Sequence, residues 1–184
     1  MGLRKALAYS KKNARPYTRT SRRKDKSYIK SIPHSKIVKF SGGNQKDYHE
    51  EKHEYGVSLV AEEKTQIRDN SLEACRMLVT KEMDEKALGQ YFMVIKVHPH
   101  HFLRENKSAA AVAGADRIST GMTQSFGVII GRAAIVNKGQ EIIFVSCLNE
   151  KAARVARNAL VSAKSKVPCK TRIVFEKVVR NIKK

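Results

Sequence analysis

The 184-residue chain has no tryptophan, four prolines and three cysteines. Cys75, Cys147 and Cys169 stand far apart, and none forms a C-x-x-C pair. That spacing excludes a zinc knuckle and argues against a disulfide framework. Small buried hydrophobes in a reducing compartment are the expectation. No apolar run approaches the roughly 18 residues that a spanning helix needs. Met1-Gly2-Leu3-Arg4-Lys5 has no apolar stretch behind it, so no secretory signal is expected. Ala6 stands where a myristoylated start wants Ser or Thr. There is no G-x-G-x-x-G, no Walker lysine and no G-x-S-x-G. No catalytic residue, cofactor or small-molecule substrate is expected.

The most telling shortage is of acids at one end. Residues 1–46 hold a single acid, Asp25, against fourteen Lys and Arg. The bases are Arg4, Lys5, Lys11, Lys12, Arg15, Arg19, Arg22, Arg23, Lys24, Lys26, Lys30, Lys36, Lys39 and Lys46. A segment at +13 with few apolar residues cannot bury enough surface to fold unaided. It needs a polyanion, and nucleic acid supplies one by releasing condensed counterions. The whole chain carries 37 Lys and Arg against 17 Asp and Glu, net +20, yet residues 47–89 hold 6 bases and 11 acids. At 41% hydrophobic the chain can still build a core. A globular body with one face on an anionic partner fits this asymmetry.

Strands are expected over residues 37–40, 55–61, 91–97, 125–136, 141–148 and 171–178, with a turn at Ser41-Gly42-Gly43-Asn44. Asp69-Asn70-Ser71 reads as an N-cap cluster, followed by Leu72, Cys75, Leu78, Val79 and Met83 at helical spacing. A second helix follows Asn149, with Ala152, Val155, Ala156, Ala159, Leu160 and Ala163 on its apolar side. Short turns between strands favour antiparallel pairing. The expected fold class is α+β: a two-layer sandwich of two helices on one mixed, mainly antiparallel sheet. The expected division is a basic N-terminal extension over 1–36, one domain over 37–178 and a basic tail over 179–184.

Tyr9, Tyr17 and Tyr28 are interleaved with the charges of the extension. Such rings can stack on bases or anchor the segment to its own body, and both readings stay open. His98, His100 and His101 lie close to Arg104, Asn106 and Lys107. Pro99 makes ring convergence on a metal awkward and no Cys or carboxylate stands at ligand spacing, so no metal is expected. Donation to phosphate or stacking on bases fits this basic stretch better. Residues 108–114 carry no charge and read as a mobile loop or an Ala-rich helix. Asp116 beside Arg117, between Gly114 and Gly121, orients a guanidinium toward phosphate or a guanine edge, or forms a plain polar turn. The acids Asp47, Glu50, Glu51 and Glu54 read as a solvated stretch.

Ala115-Asp116-Arg117, then Gly121-Met122 and Ser125-Phe126-Gly127, resembles the signature of the L-ten-e family of large-subunit ribosomal proteins. This is the archaeal and eukaryotic counterpart of bacterial L-sixteen. Met1-Gly2 with Arg15-Pro16-Tyr17 is similar to that family. So are Ser71-Leu72-Glu73-Ala74-Cys75-Arg76, Val97-His98-Pro99 before Arg104-Glu105-Asn106-Lys107, and Lys166-Val167-Pro168. The resemblance implies an α+β sandwich that binds large-subunit ribosomal RNA near the tRNA acceptor-end sites. It also implies a loop over 103–116 pointing to the tRNA end, and a role in subunit maturation. Thr123 stands where eukaryotic members often place Arg, and Ile129 replaces a more usual Pro or Ala. The segment 41–54 is unlike the eukaryotic members and its acidity argues against RNA contact there, and the shorter C-terminus leans to the archaeal type.

The expected RNA-binding residues are Arg4, Lys5, Lys11, Lys12, Arg15, Tyr17, Arg19, Arg22, Arg23, Lys24, Lys26, His98, His100, His101, Arg104, Asn106, Lys107, Arg117 and Gln124. Arg154 and Arg157 offer a secondary backbone contact. Expected partners are large-subunit ribosomal RNA, the tRNA acceptor end and other large-subunit ribosomal proteins, in the cytoplasm and without a membrane. The competing classes are an RNA-modifying enzyme, for which a pocket of convergent perturbed groups is missing, and a DNA-compacting protein.

Overall fold

Strand β2 (Tyr55–Ala61) alternates so that Val57, Leu59 and Ala61 share one face, and all three are buried in the core. The computed structural model describes residues 4–11, 32–105 and 127–177. Around β2 lies a five-stranded sheet of order β1-β4-β7-β2-β8. Its other members are β1 (Ser41–Gly43), β4 (Tyr91–Ile95), β7 (Glu141–Cys147) and β8 (Thr171–Lys177). A second sheet has the order β3-β6-β5, from β3 (Thr65–Arg68), β5 (His101–Glu105) and β6 (Val128–Val136). Helix α1 (Gln45–His49) is short; α2 (Asp69–Lys86) and α3 (Glu150–Ala163) are long, and a 3-10 turn, Lys164–Lys166, follows α3.

The two long helices pack on one another and on the same sheet. Leu72, Cys75, Val79 and Met83 recur at helical spacing on α2 and are fully buried. The α3 side is made of Ala152, Ala153, Ala156, Ala159, Leu160 and Ala163. Its alanines let the backbones approach closely, and the Cys75 thiol donates to the Ala163 carbonyl at 3.6 Å. Burial pushes the Cys75 and Cys147 thiols up to about 12. All three cysteines are free; Cys169 is half-buried rather than fully enclosed.

The expected α+β sandwich is what the chain forms. The sheet, however, is divided in two, and all its pairings are antiparallel rather than mixed. Residues 37–40, expected as a strand, are irregular. Two of their backbone donors are taken by side chains, Ile37 N–H by Ser35 Oγ and Val38 N–H by Glu73 Oε2, each at 3.3 Å, and just before them Lys36 N–H donates to Asp69 Oδ2 at 3.1 Å. The strand comes instead where the turn was expected, as Ser41, Gly42 and Gly43 pair with β4. Gly43 has φ +91°, and a Cβ there would lie 2.3 Å from the Tyr91 carbonyl oxygen. The glycine serves close approach of an edge strand to its neighbour.

Helix α2 begins at Asp69, with Arg68 at the cap position and no side-chain capping bond. Asn149 does occupy the cap position of α3, but its amide is turned to Gln90. Glu50, Glu51 and Glu54 are exposed, as expected of a solvated stretch, while Asp47 is half-buried at the start of α1. Asn44 accepts from Asp47 N–H at 3.3 Å and caps α1, whose Tyr48 stacks on Phe92 with centroids 4.6 Å apart.

Glu73 is the hinge of the lead-in. It accepts from Arg76 Nε at 2.9 Å and Nη2 at 2.6 Å as well as from Val38. The Arg76 bonds hold its carboxyl below the usual range, with burial opposing. A carboxyl held lower in the folded than in the unfolded chain stabilises fully above its unfolded value of about 4.3. That stabilisation is lost as pH falls through the folded value. Glu73→Gln is therefore expected to lower urea stability at neutral pH and to flatten the acid limb of stability against pH. An acid limb as steep as in the parent protein would contradict this assignment.

Candidate nucleic-acid interface

The three-stranded sheet gathers the described N-terminal residues and the histidine-rich stretch. Its edge strand β3 carries Gln66, whose backbone N–H donates to the Ser10 carbonyl at 3.2 Å. The Gln66 side-chain amide donates to the Tyr9 carbonyl at 2.8 Å. Buried Arg68 donates from Nη2 to the carbonyls of both Arg4 and Lys5, each at 2.8 Å. Residues 4–11, whose middle turns back on itself, are thus bonded at both ends to the edge of β3 and cover part of it, a common solution for an exposed strand. Burial lowers the Arg68 pKa, with repulsion from Arg4 adding and Asp69 opposing.

Across the sheet, Glu105 at the end of β5 is buried. It pairs with the Arg4 guanidinium and accepts from the Tyr9 hydroxyl. Arg4 also donates to the Tyr9 hydroxyl. Tyr9 is one of two non-glycine residues in the left-handed region, at φ 65°, among those described. It therefore anchors the segment to the body. Glu105 and Val128 face each other at the end of the β5–β6 ladder. Strand β5 ends and β6 begins at that pair.

The stretch expected as a basic loop from His98 is in part a strand, because His101–Glu105 pairs with β6. A loop starting at residue 103 is thereby corrected: residues 103–105 belong to β5. His98 is exposed and its ring packs on Phe40 with centroids 4.5 Å apart. His100 is exposed and meets the buried His101 edge-on at 4.2 Å. Arg104 is partly buried, which lowers its pKa. Lys5 and Lys11 are exposed. Arg154 is exposed and pairs with Glu150 one turn back at 2.7 Å; Arg157 is exposed too. Lys12, Arg15, Tyr17, Arg19, Arg22, Arg23, Lys24, Lys26, Asn106, Lys107, Arg117 and Gln124 lie outside the described residues.

Sequence reasoning missed Arg68 and Arg132. Arg132 sits on β6, donates to the Pro33 carbonyl at 2.8 Å and lies 5.9 Å from the Phe102 ring centroid. One signal was available, since a lone guanidinium inside the apolar run Ile129–Val136 needs a partner. Arg68 had no local signal, because its acceptors are more than sixty residues away in sequence. Among the described residues no group of three or more His, Cys, Asp or Glu could hold a metal ion. Among them, too, no helix is long and apolar enough to cross a membrane.

Fold and surface together define a two-layer α+β protein with an excess of cations, built like a nucleoprotein component. Residues 14–174 match the family described as ribosomal protein L16p/L10e, and the chain belongs to that family. This is a family of ribosomal proteins and not of enzymes. The chain is 42% identical over 185 aligned positions to the large ribosomal subunit protein uL16 of Staphylothermus marinus, covering 100% of this chain and 99% of that one. It is 41% identical to the uL16 of Methanococcus aeolicus over 186 positions, covering 100% and 99%. With the Saccharolobus solfataricus uL16 it shares 42% over 176 positions, 94% and 92% of the two chains.

The Arg4–Glu105–Tyr9 cluster makes one outcome testable. Glu105→Gln is expected to loosen residues 4–11 and cost about 1–3 kcal/mol, the range for a partly exposed ion pair on a buried carboxylate. Trypsin should then cut at Lys5 and Lys11 faster than in the parent protein. Unchanged cleavage and unchanged urea stability would show that the cluster does not hold the segment.

Proposed function

We propose that this chain is a structural component of the large ribosomal subunit that binds ribosomal RNA through phosphate and shape, in the cytoplasm. The observation that carries this reading is charge: net +20, with fourteen bases against one acid in residues 1–46, on a body of the L16p/L10e family. Phosphate neutralisation fixes position without reading sequence. RNA duplexes are recognised mostly in this way.

Within this reading, the bases of residues 12–31 sit among crowded phosphates, while residues 4–11 tie that segment to the three-stranded sheet. His98, His100, Lys5 and Lys11 add exposed donors near the same sheet. The segment between Glu105 and Val128 carries Asn106, Lys107, Arg117 and Gln124. In this proposal it approaches RNA and the tRNA acceptor end, and supports accommodation and late subunit maturation. Other large-subunit ribosomal proteins are neighbours in the particle. The family match supports the ribosomal setting, and the loop assignment rests on the Ala115-Asp116-Arg117 and Gly121-Met122 signature.

The test removes charge and leaves the anchor intact. Replacing the eight Lys and Arg of residues 12–31 by Gln is expected to weaken binding to large-subunit RNA more than tenfold near physiological salt. The salt slope should fall by several units, at roughly 0.7–0.9 for each phosphate that is no longer neutralised. Affinity and slope equal to those of the parent protein would refute the reading.

A further inference from the structure

The described arginines divide into two sets. Arg4, Arg68, Arg76, Arg104 and Arg132 are partly or fully buried, whereas Arg154, Arg157 and Arg172 are exposed. The three exposed ones all lie on α3 and the adjoining edge strand β8. Residues 150–177 hold eight Lys and Arg against two acids. Helix α2, in the same layer, holds three bases against five acids. One half of the helical layer is therefore strongly cationic and the other is not.

One of these cations, Lys151, is placed against helix stability. Helix α2 follows the macrodipole, with Asp69 in its first turn and Lys86 in its last. Helix α3 carries Lys151 in its first turn, Arg154 in its second and Arg157 at its middle, and has no base in its last turn. Cations near a helix N-terminus are disfavoured. Only Arg154 has a carboxylate partner, Glu150. Among the described residues Lys151, Arg157, Lys166, Lys170 and Arg172 form no ion pair. The alanine side of α3 fixes the helix close to the sheet and turns this row outward. Edge protection accounts for a charge at Arg172 on β8. It does not account for three cations on a helix.

We propose that the outer face of α3, the turn after it and the β8 edge form a second contact surface for a ribose-phosphate backbone, distinct from the surface on the three-stranded sheet. Helix α2 touches α3 as well as β3, β4 and β6 and so links the two regions. Exposed guanidinium groups suit this partner because each can bind a phosphate with two parallel N–H donors. The inference rests on the RNA-binding reading and adds a second site to it. Two separate contact surfaces would let the protein bridge two RNA segments.

The test uses the full chain and two variants, K151Q/R157Q and K166Q/K170Q/R172Q, each titrated with large-subunit ribosomal RNA over a salt series. The expected result is an affinity loss of about tenfold or more for each, with the salt slope smaller by about two units for the first variant. The melting temperature of K151Q/R157Q should be equal to or above that of the parent, since Lys151 opposes the helix dipole and neither cation has a carboxylate partner. Weaker binding is then not unfolding. Parent-like affinity and slope in both variants would overturn this second surface while leaving the first intact. A parent chain that itself fails to bind would overturn both.

Discussion

Self-repulsion is the constraint from which the rest follows. A chain of 184 residues at net +20 must either spend cations inside the fold or lay them against an external polyanion. The structure sorts them by chemistry. The cations drawn into the body are guanidinium groups: Arg4 on Glu105, Arg68 on two backbone carbonyls, Arg76 on Glu73 and Arg132 on Pro33. Every described lysine except Lys164 is exposed. A planar group with five donors and weak hydration can be satisfied inside a protein, while an ammonium is held by its water. What remains outside is a surface with a large excess of cations.

The body supplies rigidity. Alternating apolar residues on β2, β4 and β7 form a floor, and two helices cover it with a stripe of large residues on α2 and of alanines on α3. The carboxylates that the body does use are placed at joints. Asp69 and Glu73 pin the incoming chain at Lys36 and Val38, and Glu105 pins the N-terminal segment at Arg4 and Tyr9. Each joint lies where a strongly basic stretch meets the folded domain. Asp69 and Glu73 come from the acidic stretch 47–89, and Glu105 lies beyond it.

Elements with one apolar face were legible from residue pattern alone. Strand β2 occupies the expected residues 55–61, and α2 follows its Leu72, Cys75, Val79 and Met83 stripe. The failures were long-range. No local pattern could say that Lys36 and Val38 donate to side chains on α2, so a β-branched run became irregular. Strand β3 is four residues long and lies immediately before α2, too short to show a period. Strand β5 hid behind Pro99 and three histidines, because its pairing partner β6 stands 23 residues further on. The division into two sheets depended on both. Of the interface, sequence showed where cations were dense, but not which were already committed to internal partners.

Co-sedimentation of the native protein with large ribosomal subunits through a high-salt gradient tests the central claim most directly. A protein wedged among RNA phosphates at two surfaces should stay with the large subunit after loosely held basic proteins have been stripped away. Recovery at the top of the gradient, free or bound to DNA, would contradict it.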